Sequence, residues 1–138
     1  MKAIQPYLNF DGKAKEAMTY YHGVLGGELN IQTVAEVSGD QAKPGDEHRV
    51  MHSQIAKNGI PLMMASDGVG FASVNVGNSV QLALECDSAE EIDRVHAAFS
   101  KDGKDVMAPQ DTFWGAKFGM AIDKYGNHWM FNYTYPKA

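Results

Sequence analysis

Apolar and polar residues alternate along the chain with a period that changes from strand-like to helix-like and back. Residues 4–10 predict a short strand, which the Asp-Gly pair at Asp11 ends. Residues 13–25 have their apolar positions at helical spacing, and Gly26 ends that helix. The apolar stripe that is predicted to be buried consists of Ala14, Ala17, Met18, Tyr21 and Leu25.

Three strands are predicted after this helix. They cover residues 28–37, 48–57 and 60–65, with a polar loop at 38–47 and an Asn-Gly turn at Asn58. Alternation in the middle strand predicts that one face carries Val50, His52, Gln54 and Ala56, and the other Met51, Ser53 and Ile55.

The same order of elements recurs after a glycine-bearing linker at residues 68–78. The second half is predicted to contain a strand at 79–86, a helix with the apolar stripe Ile92, Val95, His96 and Phe99, and strands at 104–108, 116–122 and 128–133. Asp87-Ser88 can cap the helix, and Asp11 and Gly27 recur at equivalent offsets as Asp87 and Gly103. The pattern predicts an α+β fold of two βαβββ modules, about 1–67 and 79–138, in a single domain 1–138.

Composition restricts the classes of partner. The chain has 138 residues, a formal net charge of -5 and 12 scattered lysines and arginines, so no basic patch for nucleic acid is expected. No apolar run approaches the roughly 18 residues of a membrane helix, and the N-terminal residues lack a signal-peptide pattern. We therefore expect a cytoplasmic protein with no membrane partner.

The single cysteine, Cys86, excludes an internal disulfide. Its neighbours Glu85 and Asp87 carry charges that would raise the pKa of the thiol. A nucleophilic cysteine needs the opposite environment, so Cys86 is interpreted as structural.

Four segments of the sequence resemble one family. They are PYLNFDGKAKEAMTYYHGVLGGEL at 6–29, MHSQI at 51–55, PLMMASD at 61–67 and QDTFWGAKFGMAIDKYGNHWMFN at 110–132. Together they make the chain similar to the PhnB-like branch of the vicinal oxygen chelate (glyoxalase/bleomycin-resistance) superfamily. The resemblance implies that two βαβββ modules form paired curved mixed sheets around a ligand-binding cleft. It also implies a homodimer, sometimes with exchanged modules, because open sheets leave edges that need cover.

Enzymes of this superfamily usually hold a divalent metal ion with four side chains, two per module, drawn from His, Glu and occasionally Gln. The resemblance places these positions at Gln5, within residues 62–65, at Val80 or Gln81, and at Met130. None of them carries an imidazole or a carboxylate, and thioethers suit copper(I) better than harder dications. We therefore expect no metal. No other cofactor is expected, because P-loop and dinucleotide-binding motifs are absent from the sequence.

His52 is the candidate catalytic residue, since it lies in mid-strand on the same predicted face as Gln54. The turn at 112–115 places two aromatic rings beside hydrogen-bonding groups, a mixture typical of small-molecule pockets. The predicted ligand-binding residues are Tyr7, His52, Met64, Gln110, Thr112, Phe113, Trp114 and Asn132.

These observations predict a metal-independent protein that binds a small organic molecule in its cleft. A metal-dependent glyoxalase- or dioxygenase-like enzyme, a drug-sequestering resistance protein, and a purely structural or regulatory module are the alternatives. The sequence leaves open whether the chain is an enzyme. Some relatives in this branch are described as methyltransferases, but the sequence carries no motif for S-adenosylmethionine, so that activity is not expected.

Overall fold

The computed structural model describes residues 1–68 and 73–137, and these form two compact units, Met1–Asn75 and Val76–Ala138. The predicted linker at 68–78 spans this boundary, and its residues 69–72 lie outside the described part of the chain. We refer to the two as the N-terminal and the C-terminal unit.

The N-terminal unit is a four-stranded mixed sheet with one long helix. Its elements are β1 (Tyr7–Asn9), α1 (Ala14–Leu25), β2 (Glu28–Thr33), α2 (Val34–Ser38), a short 3-10 helix (Gly39–Gln41), β3 (Val50–Lys57) and β4 (Ile60–Ser66). The strand order is β1-β4-β3-β2, in which β1 and β4 are parallel and the other neighbours antiparallel.

The C-terminal unit repeats this plan. Its elements are β5 (Gln81–Glu85), α3 (Ala89–Lys101), β6 (Lys104–Asp111), β7 (Ala116–Ile122) and β8 (His128–Thr134). The order β5-β8-β7-β6, with β5 and β8 parallel, is the N-terminal order with each strand replaced by its counterpart. The predicted α+β fold with two βαβββ modules is therefore confirmed.

In each unit the long helix covers one face of the sheet. The stripe of α1 is buried at Ala14, Ala17, Met18 and Tyr21, but Leu25, predicted as its last member, is only half-buried at the end of the helix. The stripe of α3 is buried at Ile92, Val95, His96 and Phe99, as the sequence predicts. The ring of Phe99 stacks on Trp129 with centroids 4.7 Å apart and lies 5.9 Å from Phe131. These contacts leave the opposite face of each sheet free of its own unit's long helix.

Gly27 and Gly103 confirm the repeat at the level of single residues. Each directly precedes the strand that follows its unit's long helix. A Cβ at Gly27 would lie 2.5 Å from the carbonyl oxygen of Ala56, and one at Gly103 would lie 2.0 Å from that of Ile122. Both glycines are thus required where a turn passes against the backbone of the neighbouring strand.

Asp67 connects the helix of the N-terminal unit to its sheet. The side chain is 2% exposed, and its two carboxylate oxygens accept hydrogen bonds from the backbone N–H groups of Ala14 (2.9 Å) and Val50 (2.8 Å). The Arg49 guanidinium donates to the Asp67 carbonyl (2.8 Å) and to the Asp11 carboxylate (2.8 Å), and this Asp11 contact raises the pKa of Arg49.

The strand predicted for residues 28–37 is wrong in its last four residues. The strand β2 ends at Thr33, and Val34–Ser38 forms the helix α2. The reason is local capping: the Thr33 hydroxyl accepts a hydrogen bond from the N–H of Glu36 at 3.2 Å, which starts a helical turn. The valines at 34 and 37 favour a strand, but this cap decides the conformation.

The face predicted for Val50 is also wrong. Thr33 pairs with Val50 and Gln32 with His52, so the register skips Met51. This irregularity reverses the alternation, because one extra residue moves a side chain to the other face. Val50 is accordingly buried like Ser53 and Ile55, whereas His52 and Gln54 are half-buried.

The strand predicted for 104–108 is longer in the structure. β6 continues to Asp111, with register irregularities between Asp105 and Met107 and between Met107 and Gln110. Gln110 therefore lies in a strand and not in the loop before β7. Two interruptions of the ladder, and Pro109 within it, explain why the alternation fades after Ala108.

Candidate functional site

The N-terminal open face is the sheet surface opposite α1, and it carries Tyr7, Asn30, His52, Gln54 and Met64. Tyr7 pairs in register with Met64, Met64 with Gln54, and Gln54 with Asn30, so these four side chains form one row across the sheet. The row is polar except for Met64, and its residues are half-buried or exposed.

Tyr7 and His52 form a pair on this face. The phenol oxygen of Tyr7 lies 3.1 Å from Nδ1 of His52, and the ring centroids are 5.7 Å apart. Because β4 lies between β1 and β3, the phenol reaches across a whole strand to make this contact. The hydrogen bond at Nδ1 selects the tautomer of a neutral imidazole and so decides whether Nε2 donates or accepts a proton.

The C-terminal open face is the sheet surface opposite α3. The candidate site residues on it are Glu85, Met107, Gln110, Phe118, Met120, Met130 and Asn132. One row across the sheet is Glu85, Asn132, Phe118 and Gln110, the next is Ala83, Met130, Met120 and Met107, and a third is Gln81, His128, Ile122 and Lys104. An apolar row thus lies between two rows that carry polar groups.

The turn between β6 and β7 holds three of the predicted ligand-binding residues, and these differ in how far their side chains are free to contact a ligand. The Thr112 hydroxyl donates to the carbonyl of Ala116 and accepts from its N–H, both at 3.1 Å, so it closes the turn. Phe113 is 97% and Trp114 56% exposed, and their rings meet edge to face at 5.0 Å. Trp114 also lies 6.1 Å from Phe118, which extends the C-terminal open face.

The structure therefore divides the predicted site residues between two surfaces. Tyr7, His52 and Met64 come together on the N-terminal open face, while Gln110 and Asn132 share a row of the C-terminal one, which Trp114 adjoins. Phe113 is at the tip of the turn between β6 and β7, and the hydroxyl of Thr112 is used by the hydrogen bonds that close this turn.

Sequence reasoning missed several side chains of the C-terminal open face, chiefly Glu85, Phe118 and Met107. The alternation of Phe118 and Met120 with buried Gly119 and Ala121 was a usable signal. Alternation along β5 likewise assigns Glu85 to the face opposite Leu84, which is a signal beyond its effect on Cys86.

Cys86 is buried, and its thiol pKa is raised to about 12. Burial is the largest cause, followed by the charge and hydrogen bond of Glu91 and then the charges of Glu85 and Asp87. The expected direction is confirmed, although Glu91 acts more strongly than the two neighbours named from sequence. A thiol that stays protonated at neutral pH is a poor nucleophile.

The positions that would hold a metal ion have the wrong donors for one. Met64 and Met130 lie on the open faces with thioether sulfurs, Gln81 begins β5 beside His128, and Gln5 precedes β1. Within residues 1–68 and 73–137, no three His, Cys, Asp or Glu side chains lie close enough to share a metal ion. Thioethers and lone amides do not fit the zinc, manganese or iron sites of this fold.

Comparison with known proteins assigns the family. The sequence profile of the family described as 3-demethylubiquinone-9 3-methyltransferase matches residues 2–131. The chain belongs to this PhnB-like family. Protein YjdN of Escherichia coli strain K12 is 30% identical over 139 residues, which cover 94% of this chain and 93% of YjdN.

Two solved structures have a similar fold at the same level of identity. The PhnB protein from Bacillus cereus is 30% identical with a TM-score of 0.76, over 96% of this chain and 100% of that one. Protein PA1353 from Pseudomonas aeruginosa is 30% identical with a TM-score of 0.78, over 96% and 98% of the two chains.

A more distant neighbour establishes the wider fold. A glyoxalase/bleomycin resistance protein from Albidiferax ferrireducens T118 has a TM-score of 0.64 at 13% identity, over 96% of this chain and 100% of its own. At this identity the likeness concerns the fold alone. In the part of the chain that the structure describes, no helix has the length and apolar character to cross a membrane.

Proposed function

We propose that this PhnB-like protein binds a small organic molecule on its C-terminal open face without the help of a metal ion. The observation that carries the proposal is the composition of that face: three methionines lie beside a row in which Phe118 is flanked by Asn132 and Gln110, with Glu85 at its end.

Small-molecule sites are typically apolar surfaces with a few polar groups that orient the ligand. Methionine side chains suit such a surface because their flexible thioethers adapt to ligands of different shape. Trp114, at 6.1 Å from Phe118, adds an aromatic ring at the border of the face. The side chains of the face are half-buried or exposed, so a ligand can reach them.

The proposal excludes a metal because the positions at which the family resemblance places metal ligands carry thioethers and amides. It also makes no use of the methyltransferase activity in the family's description, since no motif for S-adenosylmethionine supports it. Binding is therefore the function that the residues themselves favour.

The N-terminal open face is proposed as a second, more polar contact surface, with Tyr7, His52 and Met64 as its ligand-binding residues. The Tyr7–His52 hydrogen bond of 3.1 Å holds the imidazole in one orientation. His52 can then exchange a proton with a ligand, and this property would distinguish an enzyme from a protein that only sequesters its ligand.

A fragment screen followed by NMR tests the proposal. Protein labelled with ¹³C at the methionine methyl groups is titrated with a library of small aromatic and aliphatic compounds. We expect binders to shift the signals of Met107, Met120 and Met130. Phe118→Ala should weaken their binding by up to about tenfold, because an aromatic contact contributes roughly 0.5–1.5 kcal/mol beyond the area that it buries. Val37→Ala, at an exposed position of α2, is the matched control and should change nothing.

Two results would overturn this function. If no compound shifts those three methyl signals, the C-terminal open face is not a ligand site. If tag-free protein contains one equivalent of zinc, nickel, manganese or iron per chain, and a chelator removes it with loss of ligand binding, the metal-dependent alternative replaces the proposal.

A further inference from the structure

The polar end of the C-terminal open face consists of hydrogen-bond acceptors. The Asn132 side-chain nitrogen donates to both oxygens of Glu85, at 3.2 and 3.1 Å, and to the Thr134 hydroxyl at 3.3 Å. A carboxylate only accepts hydrogen bonds, so the amide nitrogen and not its oxygen must face Glu85. The donors of Asn132 are thereby used, and its Oδ1 and the remaining lone pairs of Glu85 are left to accept.

The charge of Glu85 is not neutralised by a cation of the described residues. None of their ion pairs involves Glu85. Lys117 belongs to β7, which β8 separates from the strand of Glu85, and its ammonium group contacts Asp93 at 2.8 Å and the Ala89 carbonyl at 3.4 Å, both on α3. Lys117 therefore lies on the helix side of the sheet and not on the open face.

Aromatic rings lie beside these acceptors. Phe118 is the register partner of Asn132 on β7, and Trp114 lies 6.1 Å from Phe118. The faces of such rings carry partial negative charge and attract cations within about 6 Å of their centroids. Met130 and Met120 continue the surface away from the carboxylate with apolar contacts.

We infer that the C-terminal open face binds an organic ammonium ion with an apolar body. The ammonium group donates hydrogen bonds to Glu85 and to Oδ1 of Asn132 beside the Phe118 ring, while the apolar body lies over Met130 and Met120. Asn132 has a positioning role as well, since its two bonds to Glu85 hold the carboxylate toward the open face. This inference rests on the proposed function and adds the charge of the ligand to it.

A series of three probes of similar shape tests the charge preference. 2-Phenylethylammonium is the cation, 2-phenylethanol the neutral compound and phenylacetate the anion, each titrated against the methionine-labelled protein at neutral pH. We expect the cation to bind about five times more tightly than the alcohol, as for one exposed charge contact, and the anion to bind most weakly.

Two glutamate variants locate the effect. Glu85→Gln keeps the size and an acceptor oxygen but removes the charge, and it should abolish the preference for the cation over the alcohol. Glu90→Gln removes the same charge from an exposed position on α3 and should preserve the preference. Phe118→Leu keeps an apolar side chain but lacks the ring, and it should reduce cation affinity more than alcohol affinity.

The outcomes separate the two claims. If all three probes bind this face equally, or the anion binds best, the inference of a cationic ligand is wrong and the proposed binding function stands. If Glu85→Gln and Glu90→Gln reduce the preference equally, the effect is one of net charge and the inference is likewise wrong. If no probe shifts the Met120 and Met130 signals, this inference fails, and the fragment screen decides the proposed function separately.

Discussion

Two glycines show how single residues specify the repeat. Gly27 has a positive φ of 84° and lies against the Ala56 carbonyl, whereas Gly103 is required by space alone, against the Ile122 carbonyl. A side chain at either position would push the first residues of β2 or β6 away from the neighbouring strand, β3 or β7. These residues were found in the sequence through their matched offsets, but the reason for them lies in contacts with strands some 20 to 30 residues away.

We predict that Gly27→Ala and Gly103→Ala each lower the free energy of unfolding by about 3 kcal/mol, from steric overlap and, at Gly27, backbone strain. Gly23→Ala is the control. Its Cβ would meet no atom within 4 Å in α1, and alanine should raise stability by about 1 kcal/mol through helix propensity. Urea denaturation measures all three, and equal stabilities would contradict the structural role of Gly27 and Gly103.

The candidate site shows what sequence alone can and cannot supply at this scale. Parity along β7 and β8 was sufficient to select Asn132 and would have been sufficient for Phe118. The engagement of Thr112 with Ala116, and of Asn132 with Glu85, depends on hydrogen bonds that form only after the strands are in register. Residue type and position were therefore predictable, whereas availability for a ligand was not.

The elements differ in how far local sequence determines them. The helix α3 begins at its own cap, where the Ser88 hydroxyl accepts from the Glu91 N–H at 3.0 Å, as Asp87-Ser88 had suggested. Lys13, before α1, makes no such side-chain bond, and the first N–H of α1 is instead satisfied by Asp67. The bulge at Met51 is likewise invisible in sequence, because only the partner strand defines a register.

The Asp67 contact leads to a prediction about the N-terminal unit. Asp67→Asn keeps the size but places an amide N–H against the N–H of Ala14 or Val50. We expect stability to fall by about 2 kcal/mol, the cost of an unsatisfied buried group, and amide hydrogen exchange at residues 14 and 50 to accelerate. Asp40→Asn, at an exposed position of the 3-10 helix, should leave both unchanged. Equal exchange rates in the two variants would show that Asp67 does not connect α1 to β3.

At the scale of the whole molecule, the order of elements was the most predictable property. Periodicity predicts the two long helices α1 and α3, the strands β4 and β7, and the repeat itself, because each of these elements is amphipathic or bounded by glycine. The short helix α2 is the exception, since a valine-rich segment became helical under the cap of Thr33. The fold then agrees with two solved structures at 30% identity.

We predict that the protein is a homodimer in solution. Each sheet has two outer strands, β1 and β2 in one and β5 and β6 in the other, with unpaired backbone groups at its edges. Phe113 also exposes an apolar ring. Light scattering coupled to size exclusion should give twice the chain mass of 15.1 kDa at micromolar concentration. A mass equal to one chain at that concentration would show the prediction to be wrong.

The repeat also bears on how the chain is made. All four strands of the first sheet lie before residue 67, so every partner needed to close that sheet is present when half the protein has been synthesised. Chains emerge from the ribosome at about 5–20 residues per second, and their N-terminal portions fold first. We therefore expect a nascent chain arrested after Asn75 and clear of the exit tunnel to have formed its native N-terminal unit already. The remaining residues then form a second sheet with the same order of strands.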